Sequence, residues 1–234
     1  PDTVYSFDSL NISTLDGTGL RTRNGGTVNF NSPAVIVANQ GAAIDLENTA
    51  GTTGGVAGSG FTFLNLTSID SVTNGVRLNN LNSDLRVTGV TTIDSAAGPS
   101  ILITDSVAPP ATDAVQISDT TNPADPTGTG SGRVYINGGL ISNSFANGIE
   151  VRNALVEVNA TTISGFLSQG VYAWATAGQI TTVEINNSSI TSATGFDAVR
   201  LQASGGGVVN GTLLTNSLDA PSNALNAIVV DAAS

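Results

Sequence analysis

A polar residue, then Gly or Ala, then a short stretch with apolar residues at alternate positions recurs along the whole chain. It reads Thr18-Gly19-Leu20-Arg21-Thr22, Ala42-Ala43-Ile44-Asp45-Leu46, Asn74-Gly75-Val76-Arg77-Leu78 and Asp113-Ala114-Val115-Gln116-Ile117. It continues as Asn147-Gly148-Ile149-Glu150-Val151, Gln169-Gly170-Val171-Tyr172-Ala173, Asp197-Ala198-Val199-Arg200-Leu201 and Asn226-Ala227-Ile228-Val229-Val230. The spacings are 24, 32, 39, 34, 22, 28 and 29 residues. A period of 2 within each stretch predicts a strand with one face buried.

Further strands follow inside most repeats. Phe61-Thr62-Phe63, Leu85-Arg86-Val87, Val134-Tyr135-Ile136, Val156-Glu157-Val158 and Val183-Glu184-Ile185 form a second set. Thr91-Thr92-Ile93, Thr161-Thr162-Ile163 and Ser188-Ser189-Ile190 form a third. Three short strands in a unit of some 25 residues describe one turn of a parallel β-helix. No segment holds a 3.6 period, and the L-x-x-L-x-L core of leucine-rich repeats is absent. The expected fold is therefore all-β: a right-handed, single-stranded parallel β-helix of about eight coils over residues 1–234, rising about 4.8 Å per coil. The small residue before each first strand fits a crowded corner, and the Asn or Asp before it is expected to take left-handed backbone angles.

One stretch breaks the rhythm. Five of the eight prolines lie between Pro99 and Gly132, so about 99–132 reads as a loop insertion projecting from the coil that contains Val115. In a second register, Ile101-Leu102-Ile103 is the first strand of that coil instead.

Composition narrows the chemistry. The 234 residues are 40% hydrophobic and 11% charged, which excludes disorder. No run of 18 apolar residues is present to make a membrane-spanning helix. All seven cations are Arg, and Lys, His, Cys and Met are missing. A thiolate nucleophile, a zinc-finger site and a Ser–His–Asp triad are therefore excluded. A net charge of −11 disfavours nucleic acid, whose binding rests on neutralised phosphates. No cofactor is expected. The insertion acids Asp105, Asp113, Asp119 and Asp125 offer hard ligands for Ca2+, but lack the spacing of a calcium loop and read as solvated loop acids.

The Asn-Gly-Ile-x-Val first strands and the Val-x-Val-x-x-(Ser/Thr)-x-Ile second and third strands resemble the right-handed parallel β-helix superfamily, the pectin-lyase-like solenoids. In character the repeats are closest to bacterial cell-surface and autotransporter-type proteins. The resemblance covers nearly the whole chain and implies an extracellular or cell-surface location. Polysaccharide lyases, hydrolases and phage tailspikes share the fold, so fold alone does not fix function. The polygalacturonase-like Gly-His-Gly is impossible without His, and neither Arg-Ile-Lys nor Trp-Ile-Asp-His occurs.

Alternation places two rows on the outer face of the first strands. One is Arg21, Asp45, Arg77, Gln116, Glu150, Tyr172, Arg200 and Val229; the other is Arg23, Glu47, Asn79, Ser118, Arg152, Trp174, Gln202 and Asp231. These rows hold five of the seven Arg and the only Trp. They permit two readings, and for Tyr172 and Trp174 a small apolar patch covered by a partner is a third that explains them equally well. As a glycan-binding face, Tyr172, Trp174, Arg152, Glu150, Arg200, Gln202, Arg77 and Asn79 supply ring surfaces, amides and charged hydrogen bonds. As a salt-bridge ladder, alternating charges on neighbouring coils hold the sheet together. Glycoside hydrolysis needs two carboxyls about 5–9.5 Å apart. Asp45 and Glu47 meet that spacing at the strand rise, but Arg21, Arg23 and Arg77 are expected to keep both ionised.

Opening at Pro1 and stopping in the first strand of an eighth coil, the chain is expected to be a segment of a longer solenoid, or to be completed by another subunit in a head-to-tail filament. The expected function is a structural or adhesive β-helix segment presenting a glycan-binding face. The alternative is a polysaccharide-binding or -degrading enzyme using the same face.

Overall fold

Alternating apolar residues need a common interior, and parallel stacking of coils provides one. The computed structural model describes residues 3–53, 60–81, 83–105, 133–191, 196–219 and 226–233, and every regular element among them is a strand. The chain is a parallel β-helix whose coils run from a first-wall strand through second- and third-wall strands.

The first wall is an eight-stranded parallel sheet. Its strands, numbered here as coils 1 to 8, are Leu20–Arg23, Ile44–Glu47, Val76–Asn79, Ile101–Thr104, Ile149–Arg152, Val171–Ala175, Val199–Ser204 and Ile228–Ala233. Their register is unbroken from coil to coil. Ile44, Val76, Ile101, Ile149, Val171 and Val199 therefore form one inward column, fully buried at every step. Each such side chain contributes about 1.5–3 kcal/mol by leaving water. In the second wall Phe61, Leu85, Val134, Val156 and Val183 stack in the same way. In the third wall the buried column is Ile93, Ile141, Ile163 and Ile190.

The fourth coil follows the second register. Ile101–Thr104 pairs on one side with Val76–Asn79 and on the other with Ile149–Arg152, so no strand fits between them. The outward residues of coil 4 are accordingly Leu102 and Thr104, in place of Gln116 and Ser118. Residues 113–118 lie outside the described residues, and the strand at 101–104 removes the start of the proposed insertion from the loop.

Near the N-terminal end the second wall divides. Val4–Phe7, Thr27–Phe30 and Ala50–Thr53 make a separate three-stranded sheet, and coil 2 re-enters the main wall with Phe61–Ile69. Aromatic rings fill the junction: Phe30 lies 6.3, 6.0 and 5.5 Å from Phe7, Phe61 and Phe63. Gly51 lets the Phe61 ring pass, since a Cβ there would sit 2.5 Å from it.

Two kinds of corner residue hold the coils in phase. Gly19, Gly75, Gly148 and Gly170 precede first-wall strands, and a Cβ on each would strike Cγ2 of a third-wall isoleucine: Ile36, Ile93, Ile163 and Ile190 respectively. The glycines are thus required by a close approach and not by a left-handed φ. Left-handed angles occur instead immediately after the first-wall strands, where Asn24, Asn48, Asn80, Asp105 and Asn153 have φ between 45° and 51°. Asn tolerates that region because its short side chain bonds locally. The column is linked from coil to coil: Asn48 Nδ2 donates to Asn24 Oδ1, Asn80 Nδ2 to Asn48 Oδ1 at 2.6 Å, and Asn153 Nδ2 to Asp105 Oδ1 at 3.0 Å. The polar residues before the corner, expected to be left-handed, are not so among the described residues. They reach the next coil through side chains: Asn74 Nδ2 donates to the Pro99 carbonyl at 2.8 Å, and Asn147 Oδ1 accepts from the Gln169 N–H at 3.0 Å.

Gly148 tests the corner. Its φ is ordinary, yet a Cβ would lie 2.5 Å from Ile163 Cγ2 and 2.6 Å from the Gly170 carbonyl oxygen. Gly148→Ala should lower the urea midpoint by the equivalent of about 1–3 kcal/mol, the usual cost of overpacking. An unchanged midpoint would contradict the close approach.

Candidate functional site

The register sets the outer face of the first wall. One row is Arg21, Asp45, Arg77, Leu102, Glu150, Tyr172, Arg200 and Val229; the other is Arg23, Glu47, Asn79, Thr104, Arg152, Trp174, Gln202 and Asp231. Apart from coil 4, the sequence-derived rows stand. Uncharged Leu102 and Thr104 divide the face into two zones.

The first zone spans coils 1 to 3 and is an ion-pair lattice. Arg23 meets Asp45 at 2.6 Å and also pairs with Glu47. Arg77 Nη1 bridges Asp45 Oδ1 and Glu47 Oε2, both at 2.9 Å, and Arg21 stands 3.6 Å from Asp45. The hydrogen bond from Arg77 foremost, joined by the charges of Arg23 and Arg77 and the hydrogen bond from Arg23, holds the Glu47 carboxyl below its ordinary value of 4.5 against the opposing effect of desolvation. Arg77 is correspondingly raised: burial works against its charge, but the hydrogen bonds to Asp45 and Glu47 overcome it. Asn79, expected among the binding residues, accepts from Thr104 Oγ1 at 2.9 Å. Arg77 thus belongs to this lattice, and Asn79 is bonded to Thr104 at its edge. A cavity of about 300 Å³ lies beside it at coil 1, lined by Tyr5, Phe7, Leu20 and Val28 with Arg21 and Arg23.

The second zone spans coils 5 to 7. Tyr172 and Trp174, two apart on one strand, stand side by side with ring centroids 6.3 Å apart and planes within 15°. The Arg152 guanidinium carbon sits 4.8 Å from the Trp174 ring centre, directly across the coil boundary. Trp174 Nε1 donates to Glu150 Oε1 at 3.3 Å, and Asn147 Nδ2 donates to Glu150 Oε2 at 2.9 Å. On the other side Tyr172 Oη donates to Gln202 Oε1 at 2.6 Å, and Arg200 pairs with Asp231 at 2.6 Å. Both rings are half-buried, as are Glu150, Arg152, Arg200 and Gln202. Burial foremost, with the charges of Glu150 and Asp231, pushes the Tyr172 phenol up against the opposing pull of Arg200. The arrangement is a ledge, with one indole face covered by Arg152 and polar groups on both flanks.

Sequence reasoning passed over a third feature. The outward row of the second wall carries Arg86, Tyr135, Glu157 and Glu184. Arg86 lies over the Tyr135 ring at 5.0 Å. Asn186 Nδ2 donates to Glu184 at 2.9 Å and to Glu157 at 3.4 Å. Tyr135 and Glu157 face outward yet are only 3% and 4% exposed. Extending the alternation rule to the second strands would have found this row.

Among the described residues, no group of three or more acidic side chains is placed to hold a metal ion. Asp105 accepts from Asn153, while Asp113, Asp119 and Asp125 lie outside the described residues. No helix among them is long and apolar enough to cross a membrane. No family model, curated protein or solved structure matches the chain.

The lattice has a pH signature. Glu47 is lowered in the folded chain, so its stabilising contribution is present above pH 4.5 and is lost as pH falls through the folded value. Urea midpoints measured from pH 7 to pH 3 should fall on the acid side, and Glu47→Gln should flatten part of that fall. An identical pH profile in the variant would contradict the lattice.

Proposed function

We propose that this chain is a structural and adhesive segment of an extracellular or cell-surface protein, and that coils 5 to 7 of its first wall contact saccharides. The observation that carries this reading is the paired Tyr172 and Trp174, aligned within 15° on one open face. Charge pairing accounts for coils 1 to 3, where Arg21, Arg23 and Arg77 all face Asp45 or Glu47. It does not account for two large rings side by side, flanked in the neighbouring coils by Glu150, Arg152, Arg200 and Gln202. Aromatic side chains with one apolar body and one polar edge suit sugars, which present C–H patches between hydroxyls. Gln202, Glu150 and Arg200 flank the rings with groups suited to those hydroxyls.

A stack of eight coils at about 4.8 Å each spans about 35–40 Å, a stiff support for a lateral binding face. Binding is favoured over hydrolysis on this face. Asp45 and Glu47 are bound by Arg23 and Arg77, Asp231 by Arg200, and Glu150 is held by Trp174 and Asn147, so each carboxylate of this face among the described residues already has a partner.

A glycan array probed with the native chain and Trp174→Ala tests the reading, with Tyr172→Ala as a second variant. The native chain should bind at least one saccharide, and each variant should weaken that binding about fivefold or more. Absence of any saccharide binding, or variants that bind as the native chain does, would overturn it.

A further inference from the structure

The first wall presents five arginines, and four of them meet a carboxylate. Arg21, Arg23 and Arg77 meet Asp45 at 3.6, 2.6 and 2.9 Å, and Arg200 meets Asp231 at 2.6 Å. Arg152 meets none among the described residues. Its neighbours across the coil boundaries are Thr104 and Trp174, both uncharged. The nearest carboxylate along its own strand, Glu150, has both oxygens engaged by Trp174 Nε1 and Asn147 Nδ2. Arg152 is also half-buried, and its Nε is buried without a hydrogen-bond partner. A guanidinium in that state retains an incompletely compensated charge.

Its orientation adds to this. The guanidinium carbon lies 4.8 Å from the Trp174 ring centre, a cation–π contact that restrains the group at the ledge. A planar fork held in place is suited to a carboxylate or sulfate, which it can take through two parallel hydrogen bonds. The whole chain carries −11, so general attraction of anions is not the origin of such a preference. It is local to coils 5 and 6.

We infer that the saccharide contacted by this ledge is anionic, and that Arg152 binds its carboxylate or sulfate while Tyr172 and Trp174 contact the adjoining sugar ring. This rests on the saccharide reading above and adds the ligand's charge and the group that selects it. Arg152 contributes affinity through paired donors, so replacing it should spare the fold and remove the preference for charged ligands.

The test uses the 234-residue chain with three matched polymers: chondroitin, chondroitin sulfate and carboxyl-reduced chondroitin. A broad neutral-glycan array runs in parallel, and the readout is calorimetry together with the fluorescence of Trp174, the only tryptophan. Chondroitin sulfate should bind at least tenfold more tightly than the carboxyl-reduced polymer; comparable binding of chondroitin identifies carboxylate as the recognised group, and weak binding of chondroitin identifies sulfate. Arg152→Gln should abolish the difference and Arg152→Lys should restore part of it, with circular dichroism confirming that both variants are folded. Neutral glycans bound in a Trp174-dependent manner, equally by the native chain and Arg152→Gln, would overturn the inference and leave the saccharide reading standing. No saccharide binding at all would overturn both.

Discussion

Everything in this molecule depends on the parallel hydrogen-bonded register between successive coils. A residue stacks on its equivalents in the coils before and after, at a spacing of about 4.8 Å, so each position becomes a column along the axis. In the interior this makes a continuous apolar column of Ile44, Val76, Ile101, Ile149, Val171 and Val199. On the outside the same constraint places Arg152 against Trp174 and Arg77 against Asp45, although tens of residues of chain can separate such partners. The ion-pair lattice and the aromatic ledge are both products of one register.

That register is maintained at the corners. Before the first wall a glycine accepts the methyl group of a third-wall isoleucine at a distance no Cβ would tolerate, as at Gly75 with Ile93. After the first wall in coils 1 to 5 a left-handed Asn or Asp turns the chain, and three of the four steps between them carry a side-chain bond from one coil to the next. The two corners differ in kind. One is set by steric close approach, the other by backbone conformation with side-chain bonding.

The stacking columns were largely legible in the sequence because inward and outward positions alternate strictly, and seven of the eight first-wall strands follow directly from that pattern. Coil 4 was not settled, for a local reason. Its corner residue is Ser100 where the other coils have Gly or Ala, while Asp113-Ala114-Val115 imitates the motif further on. The left-handed column was misplaced because Asn stands on both sides of the strand in coils 3 and 5, as Asn74 and Asn80 and as Asn147 and Asn153, and composition does not distinguish the one that turns from the one that reaches across. The division of the outer face was hidden by the same coil: with Leu102 and Thr104 in place, Arg77 and Asn79 separate from the aromatic group. The state of Arg152 was beyond sequence reasoning, because it depends on Trp174 Nε1 and Asn147 engaging Glu150.

The outer face therefore combines two solutions to one problem. Coils 1 to 3 pair their charges with one another, and coils 5 to 7 hold two aromatic rings and an arginine that meets no carboxylate among the described residues. The most direct test of this division is a 1H–15N titration of the native chain with a saccharide that it binds. The account predicts shifts at the Trp174 indole N–H, Tyr172 and Arg152, with the Arg23 and Arg77 side-chain signals unmoved. Shifts centred on Arg23 and Arg77, with the Trp174 indole unmoved, would contradict it.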